Sequence, residues 1–302
     1  MWQGFVRNWL IGAAREQLQR NAAAAAAQQH PESSGQESAQ PAQEPDAAPA
    51  AEPAENPKRV YHVGLVFALG IEAGGLVDLL RGVVRTTAYQ FVAHEGGLAG
   101  RRLIVAESGA GAAAAAHATR ALVRGHQPNW IVSAGFAGGL SESLRQNDIV
   151  MADSIVDPDG HHLAIDVKLS PEALRDQPRL HVGRLLSVDR IIRLPSEKRL
   201  LGERHQALAV DMESMGVAQV CREEGVRFMA VRIISDAIDR ELPPDVDHLV
   251  KQKTVAGRLG AATGAIFRRP SSIKDMWQLK EDALVASDRL AKFLSGVVTQ
   301  LE

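Results

Sequence analysis

Asp211, Met212 and Glu213 stand together where apolar periodicity predicts a helix over Asp211–Glu224, and Asp236 follows the apolar strand predicted over Arg227–Ile234. Acids this closely spaced can accept hydrogen bonds from the vicinal hydroxyls of a sugar such as ribose. A third acid beyond the next strand is a candidate proton donor. Met212 lies between the first two, where an apolar contact could floor the ring. Arg232 interrupts an otherwise apolar strand, and a charge there calls for a carboxylate partner. Each acid also has an ordinary reading: Asp211 and Glu213 as helix N-terminal charges, and Asp236 beside Ser235 as an N-cap.

Three further strand ends carry polar or glycine-rich sequence. Glu72 follows a buried strand and opens a helix; it is either a general base toward water or a first-turn glutamate favoured by the helix dipole. Ser108-Gly109-Ala110-Gly111 precedes a helix and offers backbone N–H groups to an oxygen-rich ligand, or simply makes a tight turn. Ser133 to Gly139 reads as a glycine-rich turn after a short strand, Trp130–Ser133. Its small residues would let a flat ring approach the backbone, with Phe136 stacking on the ring or packed in the core. Ligands of open α/β sheets collect beyond the carboxyl ends of strands, which would bring these segments together.

The elements that must position these residues begin at Val60. Tyr61–Leu69 reads as a buried strand and Ile71–Arg81 as a helix. Val84–Ala93 and Arg102–Glu107 read as strands joined across Glu95-Gly96-Gly97. Ala112–Arg124 reads as a helix ended by Gly125. Asp148–Val156 and Val182–Val188 are strand candidates, and Gly225 ends the helix that starts at Asp211. From about residue 246 the tail reads as two helices separated by Arg268-Arg269-Pro270. Interleaved strands and helices predict an α/β class: one three-layer domain over residues 60–302, with a central mixed sheet flanked by helices.

Residues 1–59 differ in kind. Trp2, Phe5, Val6, Trp9, Leu10 and Ala13 share one helical face over residues 1–20, with Arg7, Arg15 and Arg20 elsewhere. That stripe suits a membrane surface, a protein docking partner, or the protein's own core. Residues 21–59, rich in Ala, Pro, Gln and Glu, contain no Val, Ile, Leu, Met, Phe, Tyr or Trp, and read as a disordered linker.

A formal net charge of -2 gives no reason to expect nucleic acid. The lone Cys221 excludes an internal disulfide and fits a packed, reducing setting, hence a cytoplasmic protein, with residues 1–20 allowing peripheral attachment at a membrane. No apolar run reaches the ~20 residues of a membrane span, and the N-terminus lacks the layout of a secretory signal. No metal site is expected: His161 and His162 are adjacent and would point to opposite faces of a strand. Neither G-x-G-x-x-G nor a Walker loop occurs, so no cofactor is expected.

Taken together, Asp211-Met212-Glu213, Arg232-Ile233-Ile234-Ser235-Asp236 and Ala137-Gly138-Gly139 resemble the purine nucleoside phosphorylase/uridine phosphorylase superfamily. The methylthioadenosine/S-adenosylhomocysteine nucleosidase branch is the most similar. The resemblance covers roughly Tyr61 to Asp239. It implies that Glu72 activates water, that Met212 and Glu213 hold the ribose, and that Asp236 protonates the departing purine. It also implies ligand contacts at Gly138 and beside Ile191 or Ile192, and places Ala110, Phe136, Ala137, Ser235 and Arg232 in the binding site. The family usually forms homo-oligomers. Three departures stand out: Asp211 replaces the first acid of the usual Glu-Met-Glu, Phe136 stands where the nucleosidases carry serine, and the stretch from Asp148 to Ser187 is short. The tail with Arg268-Arg269-Pro270 resembles the nucleosidase-like proteins of hopanoid lipid biosynthesis.

The implied reaction is cleavage of the N-glycosidic bond of a purine nucleoside or adenosine derivative. Glu72, and the placement of Arg101 and Arg102 at the start of a strand rather than its end, favour hydrolysis over phosphorolysis, in which phosphate would be the co-substrate. A binding module that kept the fold without turnover is the rival from another class; retention of Glu72, Glu213 and Asp236 argues against it.

Overall fold

Strand β1 (Val63–Phe67) is buried on both faces, as a central strand covered by helices requires. Its alternate residues enter different cores. In the computed structural model, which describes residues 61–301 apart from 89, 167–176, 245 and 247–270, Val63, Leu65 and Phe67 pack with Ala73 and Leu76 of α1 (Gly70–Val77) and with Leu290, Leu294 and Val298 of α5 (Ser271–Val298). Val66 faces the opposite layer. It packs with Ala115, Ala118 and Leu122 of α2 (Ala112–His126) and Val217 and Cys221 of α4 (Ser214–Glu223). Helices thus cover both faces of a mixed sheet, the expected three-layer architecture.

The remaining elements are β2 (Arg81–Thr87), β3 (Val92–Leu98), β4 (Arg101–Glu107), β5 (Trp130–Gly139), β6 (Ile149–Val156), β7 (His162–Ala164), β8 (Leu180–Ser187), α3 (Pro195–His205), β9 (Ala209–Asp211) and β10 (Arg227–Asp236). Strand β5 is the hub. Parallel β10 runs along one of its edges from Trp130 to Gly138. Its other edge is shared: β1 pairs with Trp130–Ser133, and antiparallel β9 pairs with Gly138 and Gly139. β10, β6, β8 and β9 return to β5, closing one end of the sheet into a ring, while β1, β4, β3 and β2 continue outward from it.

Several boundaries differ from the sequence reading. Gly96 and Gly97 lie inside β3, and the β3–β4 turn is Ala99-Gly100, both at positive φ (50° and 79°), which matches the twist of a two-residue hairpin. The strand expected over Val84–Ala93 is split between β2 and β3. Helix α1 ends at Val77, and Arg81 begins β2. Helix α2 runs through Gly125 and ends on left-handed Gln127. The expected glycine-rich turn at Ser133–Gly139 is strand, because β10 pairs with it throughout. Asp211 ends β9 and does not open the helix. Helix α3, which begins with Pro at its first position, and β9 were not anticipated. The expected helix over residues 1–20, the linker and the first tail helix fall outside the described residues. No helix among the described residues is long and apolar enough to cross a membrane.

Candidate active site

The split edge of β5 creates the site. Between Ser133, where β1 ends, and Gly138, where β9 begins, β5 has no strand partner on that edge. Glu72, in the first turn of α1, reaches into the gap. Its Oε1 accepts the Phe136 N–H at 2.9 Å, and its Oε2 accepts the Leu69 N–H at 2.8 Å. Gly135 makes room: a Cβ there would stand 3.0 Å from Oε1. Burial pushes the Glu72 pKa up, against the lowering effect of the two N–H donors and of Arg232. A buried carboxylate with a raised proton affinity is suited to take a proton from water.

Arg232 is 1% exposed and lies on β10 beside this gap. Its Nε and Nη2 meet Asp211 Oδ2 at 2.7 and 2.6 Å. Nη2 also donates to Ser133 and Ser214 Oγ, and Nη1 donates to the Val231 carbonyl. Arg232 therefore has the carboxylate partner its apolar strand demanded, and its fork is occupied by protein. Asp211 in turn accepts the Ser214 N–H and so fixes the first turn of α4. That is a physical use for aspartate at this position: it ends a strand close to the guanidinium.

Glu213, at the N-cap of α4, accepts the Gly111 N–H at 2.8 Å. The glycine turn at 108–111 thus offers an amide to the protein's own carboxylate. Burial first, and then the charges of Asp211 and Glu72, push Glu213 up to about 8. The charges of Arg232 and Asp211 both act on Glu213, and that of Arg232 on Glu72.

Asp236 ends β10 opposite Gly138, three residues along β5 from Gly135, or about 10 Å at strand spacing. A Cβ on Gly138 would stand 3.3 Å from its Oδ2. Its Oδ1 accepts Ser235 Oγ at 2.5 Å, and its Oδ2 meets the Lys198 ammonium at 2.6 Å. Of the other residues predicted from sequence, Ala110, Phe136, Gly138, Ile191, Met212 and Ser235 are half-buried. Ala137 and Ile192 are buried, and Ile192 packs with Leu140, Val188 and Val210. Lys198 and Ser214 escaped the sequence reading, as did the bond from Ser133 to Arg232. Lys198 had a weak signal: it lies three residues before half-buried Leu201, although Leu194 on the same phase is exposed.

Cys221 is buried, and burial raises its thiol pKa. Asp157, Asp159 and His161 approach one another within 4.8 Å in a turn. There the Asp157 carboxylate is already bound to the backbone of Asp159 and His161 and to the His161 ring.

The chain belongs to the phosphorylase superfamily, whose family model matches residues 62–268. It is 28% identical over 214 residues to the 5'-methylthioadenosine/S-adenosylhomocysteine nucleosidase of Shewanella halifaxensis, across 62% of this chain and 91% of that protein. It is 27% identical over 212 residues to the Shewanella oneidensis nucleosidase of the same name, across 63% and 90%. The crystal structure of the Helicobacter pylori 5'-methylthioadenosine/S-adenosylhomocysteine nucleosidase shares the fold, with a TM-score of 0.61 at 21% identity over 81% of this chain and 100% of that one. The futalosine hydrolase structure from Helicobacter pylori does so with a TM-score of 0.59 at 21% identity, over 80% and 99%.

Proposed function

We propose that the protein hydrolyses the N-glycosidic bond of a purine nucleoside, and that its substrate is an adenosine derivative of the kind named for its relatives. The observation that carries this reading is the arrangement of Glu72, Glu213 and Asp236 along β5. The two glutamates stand at the gap with Asp211 and a single buried guanidinium, and Asp236 stands at Gly138. Cleavage leaves the sugar with oxocarbenium character, and carboxyl oxygens facing it lower the energy of that cation. Met212 and Glu213 hold the ribose. Glu72 takes a proton from the water that attacks C1′. Asp236 passes a proton to the base as the C–N electron pair leaves with it. The purine lies over Gly138 with Phe136 beside it, and the backbone near Ile191 and Ile192 borders the base.

Hydrolysis fits better than phosphorolysis. The cations among the described residues of the site are Arg232 and Lys198, and both are committed to carboxylates. A phosphate there would meet Glu72 and Glu213 rather than free donors. The test is adenine release from methylthioadenosine, adenosine and adenosylhomocysteine, with and without phosphate. Release that does not depend on phosphate supports the reading. Phosphate dependence would make the protein a phosphorylase, and no release from any of the three would contradict the proposal.

A further inference from the structure

We propose that Lys198 is the positioning residue of Asp236, holding the carboxylate toward the base and returning to it the proton it passes on. The inference rests on Asp236 acting as the acid. Lys198 lies in α3 and is fully buried, a rare state for a lysine. An ammonium has three N–H donors, and here it meets three oxygens: Asp236 Oδ2 at 2.6 Å, the Ala237 carbonyl at 2.8 Å and the Arg240 carbonyl at 2.7 Å. Two of the three belong to the backbone directly behind the acid, in a turn closed by the Arg240 N–H on the Ala237 carbonyl. The side chain therefore clamps the segment that carries Asp236 as well as the carboxylate itself.

Packing alone does not call for a lysine here. An ammonium buried against the protein interior is costly unless paired, and an apolar side chain would fill the same position without that cost. Ser235 Oγ fixes Oδ1, leaving Oδ2 between the ammonium and the space over Gly138. The proton inventory also closes. One proton moves in sequence: the Nζ–H bond breaks as Oδ2 takes the proton, and that Oδ2–H bond breaks as the base nitrogen takes it, leaving a neutral amine and the original carboxylate. The neutral amine keeps two N–H groups, one for each backbone carbonyl, and regains its third proton from solvent.

The experiment compares wild type, Lys198→Met, Asp236→Asn and the double variant on two substrates. One is methylthioadenosine, whose adenine leaves with a proton. The other is 4-nitrophenyl β-ribofuranoside, whose leaving group departs without one. For Lys198→Met we expect kcat on methylthioadenosine to fall about 10–100-fold with KM little changed, no more than the ~10²–10⁴-fold of a lost acid. Turnover of the nitrophenyl riboside should stay within a few-fold of wild type. Added to Asp236→Asn, the lysine substitution should cost nothing further, since both act on one proton. Equal loss on both substrates, wild-type kcat on methylthioadenosine, or additive loss in the double variant would overturn the proposal. Full methylthioadenosine turnover by Asp236→Asn would instead sink the underlying assignment of the acid. If Lys198→Met does not fold, Lys198→Gln gives the same ratio between substrates.

Discussion

Arg232→Met should test the electrostatic core of the site most severely. The guanidinium makes two contacts to Asp211, one each to Ser133 and Ser214, and one to the Val231 carbonyl, all inside a side chain that is 1% exposed. Methionine fills much of the same volume and supplies none of these donors. Asp211 would remain buried as a carboxylate with only Ser214 to serve it, next to Glu213 and Glu72. Breaking a buried ion pair on one side costs about 3–5 kcal/mol, a large share of the ~5–15 kcal/mol that stabilises a typical fold. With a urea m-value of about 3 kcal/mol/M, the midpoint should move down by about 1–2 M. The double variant Asp211→Leu with Arg232→Met removes both charges and should recover much of the loss. Arg232 also holds the Glu213 pKa down, so in the single variant Glu213 should titrate above its present value of about 8. Urea unfolding followed by circular dichroism reads the first two effects. A midpoint shift under 0.3 M, about 1 kcal/mol at that slope, or a double variant no more stable than the single, would refute the reasoning.

Three further outcomes follow from the geometry. An unfolded glutamate loses its proton near 4.5, whereas folded Glu213 keeps it to about 8. Between those values the unfolded chain binds fewer protons, so Glu213 lowers stability as pH rises through the window, and its effect levels off above it. Glu213→Gln, which keeps an acceptor for the Gly111 N–H, should therefore raise Tm more at pH 8.5 than at pH 5; an equal change at both would contradict the shift. Gly135→Ala places a Cβ 3.0 Å from Glu72 Oε1 and should cut kcat roughly tenfold by displacing the base, in line with the sensitivity of catalysis to small misplacements. Unchanged kcat would argue against Glu72 as the group that activates water. Gly216→Ala puts a Cβ 2.3 Å from the Ala112 carbonyl oxygen, where α4 crosses α2. Helix propensity alone would make this change favourable by about 1 kcal/mol. The clash should outweigh it and lower Tm by several degrees in a thermal melt; a higher Tm would refute the close crossing.

The layers of the fold were legible because its core elements obey simple periods. β1 is a continuous apolar run and β10 is one broken by Arg232, and α2 and α4 carry apolar residues at helical steps. The glycine stretch after Ser133 was misread because glycine signals a turn locally. Here it is strand whose side chains are absent to admit Glu72 and Asp236, a reason that exists only in three dimensions. Asp211 was placed on a helix because its role is set by Arg232, twenty-one residues away. The need of Arg232 for a carboxylate could be read from its strand, but which acid answered it could not. Lys198 was overlooked because a lysine near the start of a helix ordinarily faces solvent; only its spacing from half-buried Leu201 hinted otherwise.

The central claim is that the carboxylates along β5 drive hydrolysis of a nucleoside. Its most direct test is the fate of the sugar when methylthioadenosine is incubated with the protein in excess phosphate. Adenine should appear together with free reducing methylthioribose and no sugar 1-phosphate, and Glu72→Gln should abolish both products. Sugar 1-phosphate in place of the free sugar, or undiminished adenine release by Glu72→Gln, would contradict the account.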